Sequence, residues 1–234
     1  MSAQPRTPTS RRERPAKPAL TREGIVATAV AVMRAEGLEK VTMRRLAQEL
    51  DTGPASLYVY ARNAAELHAA VLDELLGEVD LGPVRAAGDW REHLVRILSS
   101  YTAVLFEHPK LARSALVTRP SGPHYLDLLE GLLAVLAKGG VPDDRAAWGV
   151  DVLLHFATAT AAEQSTRDTA PDARDEMDAL VAAVHGLSAR THPRLAALGD
   201  ELFSGPGDAR LTWGFQVLIN GILHTDRPTT PGDR

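Results

Sequence analysis

Apolar residues recur along most of this chain at intervals of three and four, the period of α-helices packed on one side. Ile25, Ala29, Val32 and Met33 fall at i, i+4, i+7 and i+8. Thr21 stands where an N-cap belongs and Gly37 where the helix would stop. Thr42 is the expected N-cap of a second, short helix over Met43–Leu50, with Leu46 and Leu50 turned inward. A longer helix is predicted from near Asn63 to about Asp80, before the breaks Leu81-Gly82-Pro83 and Ala86-Ala87-Gly88. Beyond them the pattern predicts helices at about 90–107, 109–117, 123–138, 143–166, 176–190, 194–203 and 208–224. Pro109, Pro123, Pro142 and Pro193 sit at predicted starts or stops. No segment reads as a strand, so the expected class is all-α.

Between the second and third helices the chain reads "DTGPASLYVYARN". Two short helices of about two turns each, joined by a tight turn with Gly, make a helix-turn-helix unit. Pro54 suits a first helical position, where its missing N–H has no partner to lose, and Gly53 is expected to let the chain turn. Leu57 and Ala61 share one face, with Pro54 near it, and are expected to pack on Leu46, Leu50 and the first helix. Ala55 and Val59 then point outward, flanked by Ser56 and Tyr58. Such a face suits a DNA groove, where small apolar groups meet thymine methyls and tyrosine hydroxyls reach phosphates. Tyr60 and Arg62 close the helix on the side where a backbone would pass. A helical hairpin inside an ordinary all-α protein, with Tyr58 and Tyr60 as packing residues, fits the same periodicity.

Charge sharpens the choice. The net charge is −4, but Lys and Arg outnumber Asp and Glu by 11 to 6 up to Arg62 and trail by 15 to 24 beyond it. A basic head on an acidic body points to a phosphate-facing N-terminal module. Residues 1–19, rich in Pro, Arg, Ser and Thr, are expected to form a disordered basic arm. The absence of cysteine excludes disulfides, thiolate zinc sites and a cysteine nucleophile, and suits a cytoplasmic protein. No apolar run is long enough for a membrane span, and the basic, proline-rich start has no apolar stretch of a secretory signal after it.

The segment "EGLEKVTMRRLAQELDTGPASLYVYARNAAEL" resembles the DNA-binding signature of the tetracycline-repressor (TetR) family of transcriptional regulators. That pattern is Gly, a Thr a few residues on, RxLAxxL, a turn, LYxY or LYxH, and xNxxEL. The match runs from about Thr21 to Leu76. It implies a three-helix DNA-binding domain followed by a helical domain that binds a ligand and dimerises. By the resemblance, Thr42 caps the second helix and touches a phosphate, and Arg44 reaches into the groove. Pro54, Ala55, Ser56, Tyr58, Val59 and Tyr60 make the recognition surface. Many members carry Lys after the Asn, as a phosphate contact; here the residue is Ala64. The implied organisation is an arm over 1–19, a DNA-binding domain over 20–80, a ligand-binding and dimerisation domain over 81–226 and a disordered tail over 227–234.

The second half resembles the tetracycline-repressor branch itself, through "HPKL", "TRPSGPHY" and "HFATATAAEQ" in order. The resemblance makes Thr118, Arg119 and Pro120 the stop behind the helix that transmits ligand binding, and Glu163 the residue that reaches the partner's drug site. The drug contacts do not carry over. Ala115 stands in place of the metal-binding His, Ile97 and Gly131 in place of Asn and Gln, and Tyr101 in place of a Phe. The expected pocket is largely apolar, lined by Ile97, Tyr101, Leu105, Leu116, Val117, Leu132, Val150 and Phe156, with His155 either a ligand contact or a satisfied interior histidine. Core packing remains an alternative for each of them.

"LTWGFQVLINGI" is apolar on two faces, with Leu211, Phe215, Leu218 and Ile222 on one and Trp213 and Val217 on the other. Such a helix needs two partners, so Trp213, Phe215, Val217, Leu218 and Ile222 are candidates for a twofold dimer interface; a helix fully buried in a monomer is the alternative. No Gly-x-Ser-x-Gly elbow, phosphate-binding glycine loop or HExxH spacing occurs, so neither an enzyme nor a metal or other cofactor is expected. The expected partners are a palindromic double-stranded DNA operator, a small organic effector and a second copy of the chain, without a membrane. A helical scaffold that binds small molecules but not DNA is the competing reading.

Overall fold

A computed structural model of the chain describes residues 20–228, which form eleven helices and no strand. The helices are α1 (Arg22–Glu36), α2 (Met43–Glu49), α3 (Pro54–Leu57), α4 (Ala64–Leu76), α5 (Trp90–Glu107), α6 (Pro109–Ala115), α7 (Pro123–Lys138), α8 (Asp143–Thr169), α9 (Ala173–His185), α10 (Pro193–Phe203) and α11 (Gly207–His224). The expected arm over 1–19 and the end of the expected tail lie outside the described residues. Within that tail, Arg227 stacks over the Trp148 ring at 4.3 Å.

The N-terminal helices are built by capping and by one buried stripe. Thr21 accepts a hydrogen bond from the Gly24 N–H (3.0 Å) and Thr42 from the Arg45 N–H (3.1 Å), so each satisfies an amide that has no partner inside its helix. Ile25, Ala29, Val32 and Met33 are all buried, and Leu46 and Leu57 are buried in the same core. The turn between α2 and α3 differs from expectation. Gly53 has ordinary extended backbone (φ −81°), and the left-handed residue is Asp51 (φ 47°). The Thr52 N–H bonds the Ala47 carbonyl (2.8 Å) and the Asp51 N–H the Gln48 carbonyl (3.2 Å). That is a Schellman stop with aspartate at the position glycine usually holds. Regular helix in α3 lasts only one turn, and looser turns carry the chain on to Ala61, whose N–H bonds the Leu57 carbonyl (3.2 Å).

The rest of the chain packs around α8, which touches α5, α6, α7 and α11. Leu94, Leu98, Leu105, Leu128, Leu132 and Leu153 are fully buried there. The α8–α11 contact is close: a Cβ on Gly214 would lie 2.5 Å from the Phe156 ring. Helix α4 joins the two halves, contacting α1 on one side and α6 and α7 on the other. Helices α9 and α10 pack mainly on each other.

Candidate DNA-facing surface and effector pocket

Around α3 the structure divides the expected recognition residues into two groups. Leu57 is buried and anchors the turn, while Pro54, Ala55, Ser56, Tyr58 and Val59 are exposed. Val59, an apolar side chain, is 83% exposed. Tyr60 departs from its expected place. It is half-buried, and its hydroxyl donates to the Leu20 carbonyl (2.7 Å), which pins the start of α1 to the end of the α3 turn. A phenol held in that way belongs to the scaffold.

Ion pairs thin the basic surface. Arg45 bridges Glu36 (2.7 Å) and Glu49 (2.5 Å), and those hydrogen bonds raise its pKa further above the usual guanidinium value. Arg62 pairs with Glu66, whose carboxyl falls below its usual value because the Arg62 side chain and backbone N–H both donate to it. Arg44 is exposed and forms no ion pair with any described residue. Thr42 is exposed beside it. Asn63 caps α4 through the Glu66 N–H (2.9 Å), leaving Ala64 exposed at the first helical position.

A cavity of about 40 Å³ opens among α5, α6, α7 and α8. Tyr101, Leu116 and His155 border it, as expected. Ala115 does too, so the position that reads as a lost metal ligand faces this cavity. Others do not reach it. Ile97, Leu105 and Leu132 have no exposed surface, Val150 is nearly as buried, and all four serve the core. Val117 is 86% exposed and projects outward, with Thr118 half-buried beside it. Phe156 and Glu163 lie on another side of α8, along an open groove shared with Trp213.

The lining is also more polar than expected. Arg119 and Asp151 form an ion pair at 2.7 Å, and Tyr125, with its phenol pKa raised by burial, stands beside them. The Tyr101 and Thr158 hydroxyls are 2.7 Å apart. Burial pushes the Tyr101 phenol up to about 12, while its bond to Thr158 pulls the other way. Sequence reasoning missed Tyr125, Asp151, Leu154 and Thr158. One signal was present: Asp151, His155 and Thr158, at i, i+4 and i+7, make a polar stripe on a helix otherwise apolar nearly all round.

On α11 the two apolar faces separate. Trp213 (68%) and Val217 (47%) are exposed, and α8 adds exposed Trp148 and Val152. Phe215 is fully buried in the subunit's own core, which removes it from the expected interface. Leu218 and Ile222 are half-buried and pack on the same core, so they belong more to that inner face than to an outer one.

Family models match both halves of the chain. The model of bacterial regulatory proteins of the tetR family covers residues 25–71, and that of the tetracyclin repressor-like C-terminal domain covers 82–225. The chain belongs to the TetR family. A crystal structure of a Streptomyces protein assigned as a transcription regulator shares 59% identity, with a TM-score of 0.77 over 92% of this chain and 100% of that one. The Streptomyces coelicolor TetR family protein ActR, in complex with actinorhodin, shares 38% identity, with a TM-score of 0.76 over 88% of this chain and 96% of that one. The transcriptional repressor DrrR1 of Streptomyces coeruleorubidus is 29% identical, over 88% of this chain and 78% of its own length. This TetR-family chain is a ligand-responsive, DNA-binding transcriptional repressor, and regulators of this kind are not enzymes. No described helix is long and apolar enough to cross a membrane.

Proposed function

We propose that a cytoplasmic homodimer of this chain holds a palindromic operator and lets it go when an organic effector enters the cavity beneath α6 and α7. The observation that carries the reading is the exposed run Pro54–Val59, held out by the buried Leu57. An apolar side chain as exposed as Val59 gains nothing in water and fits the floor of a major groove. Around it, Thr42, whose hydroxyl proton is free to donate outward, together with Arg44, Tyr58 and Arg62, would meet phosphates or base edges. Arg62 would exchange Glu66 for a phosphate. In this reading residues 20–80 bind DNA and residues 81–226 bind the effector and the second subunit, through the face that carries Trp213 and Val217.

The cavity is too small for a drug-sized molecule, so binding must open it, and that provides the required difference between two conformations. Its lining suits a largely apolar molecule whose few oxygens meet Tyr101, Thr158, Tyr125 and the Arg119–Asp151 pair. ActR binds actinorhodin, which makes that compound the first probe. The test is to select an operator from random DNA and titrate the complex with actinorhodin and other aromatic natural products. Release of the operator, lost in Leu116→Trp with DNA binding intact, is expected. Release that is indifferent to Leu116→Trp would place the effector elsewhere.

A further inference from the structure

Helix α7 starts without a cap of its own. Its N-cap position is Gly122, which has no side chain to offer, and Pro123 follows. The Tyr125 N–H is among the first amides of the helix and has no partner inside it. That amide is nonetheless satisfied: it donates to Oδ1 of Asp73 at 3.0 Å. Asp73 belongs to α4 and is buried, with 7% exposure. One helix of the DNA-binding half therefore supplies the N-cap of a helix in the effector-binding half.

The glycines at the contact fit this arrangement. A Cβ on Gly122 would lie 2.0 Å from Asp73 Oδ2, so any other residue there would expel the carboxylate. At the end of α4, a Cβ on Gly77 would lie 3.0 Å from the His124 ring, so on both sides a glycine backbone lies directly against a side chain of the other segment. Electrostatics add to the bond, because a carboxylate is favoured at the positive end of a helix, and burial strengthens the effect. On the far side of the same residue, the Tyr125 ring lines the cavity beside Arg119 and Asp151. Tyr125 thus holds α4 with its backbone and faces the cavity with its side chain.

We propose that Asp73 is a positioning residue for induction. It transmits movement of Tyr125 to α4, and through α4 to the helices packed on α1, by capping α7 in trans. The inference rests on the reading that the cavity is the effector site and that α1 to α4 bind DNA. A ligand that displaces the Tyr125 ring disturbs the first turn of α7, which breaks or drags the Asp73 cap. Because coupling is reciprocal, operator DNA must act on the same joint from the other end. That makes the proposal testable without an identified effector.

The experiment measures amide hydrogen exchange at Tyr125 in the full chain, free and bound to a duplex selected from random DNA by this protein. In the wild type, operator binding should slow exchange at Tyr125 by about fivefold or more, the lower end of ordinary coupling. In Asp73→Ala the difference should vanish, and in Asp73→Asn, which keeps an oxygen acceptor, most of it should remain. Gly122→Ala attacks the joint from the other side and should behave like Asp73→Ala, which guards against an unfolded variant being misread. An operator effect of equal size in Asp73→Ala and Gly122→Ala overturns the proposal, as does a wild type whose Tyr125 exchange ignores operator. Failure to select any duplex would overturn the DNA-binding reading first, and the joint with it, so the two failures are told apart.

Discussion

The rings of Phe156 and Phe215 meet edge to face, with centroids 5.4 Å apart and planes at 83°. The contact locks α11 onto α8 and settles which of the two apolar faces of α11 looks inward. Aromatic pairs in this geometry add to their area burial, and Phe215 has no exposed surface to give to a partner. Phe215→Ala should therefore cost about 3–5 kcal/mol of stability, the usual range for a buried Phe, read by urea denaturation. Trp213→Glu should leave the subunit folded and yield a monomer by sedimentation. A Trp213→Glu protein that remains a dimer would move the proposed interface off this face.

Tyr58 and Tyr60, two residues apart, should respond oppositely to loss of their hydroxyls. Tyr60→Phe removes the bond to the Leu20 carbonyl and should cost about 0.5–1.5 kcal/mol of stability, with a small effect on operator affinity. Tyr58 is exposed, so Tyr58→Phe should leave the melting temperature unchanged and weaken binding equally across operator variants, as loss of a phosphate contact does. Normal operator affinity in Tyr58→Phe over a range of salt would remove that contact from the account.

Tyr101 gives a pH signature. Its phenol is pushed up to about 12 from an ordinary 10, chiefly by burial. The folded state therefore favours the protonated form. That contribution is intact below pH 10 and is lost as pH rises toward 12. Stability should decline across this window by denaturant titration, and Tyr101→Phe should show a shallower decline. The same slope in both proteins would mean that the Tyr101 hydroxyl is more solvated than the structure shows.

Tetracycline with magnesium should fail to release the operator. Ala115 borders the cavity where the tetracycline-repressor branch has a metal-binding histidine, and a methyl group cannot coordinate. An anisotropy titration of the operator complex with tetracycline, with and without magnesium, checks this. Magnesium-dependent release at low concentration would show that other groups hold the chelate.

Much of this fold is legible from single helices because a buried stripe and its caps are local. Thr21 and Thr42 cap their helices as the sequence suggests, and Ile25, Ala29, Val32 and Met33 are buried together. What was illegible depends on partners distant in the chain. Phe215 and Trp213 are both apolar, and only the approach of Phe156 against Gly214 decides which is inside. Ile97 and Tyr101 lie one turn apart on α5, yet only Tyr101 reaches the cavity, because α7 and α8 close over the rest. The turn after α2 misled for another reason. Glycine is the usual left-handed residue, but aspartate tolerates that conformation, and Asp51 adopts it while Gly53 does not.

The exposed end of α3 is the element proposed to read DNA sequence. Its most direct test is anisotropy of a labelled duplex selected from random DNA, titrated with the wild type and with Val59→Glu. Val59 is 83% exposed, so the substitution should leave the fold intact while placing a negative charge against the duplex. The selected site should be palindromic, the wild type should bind it in a salt-sensitive way, and the folded variant should lose sequence-specific binding. Equal binding of the selected duplex by both proteins, or the absence of any selected sequence, would mean that α3 does not read DNA sequence.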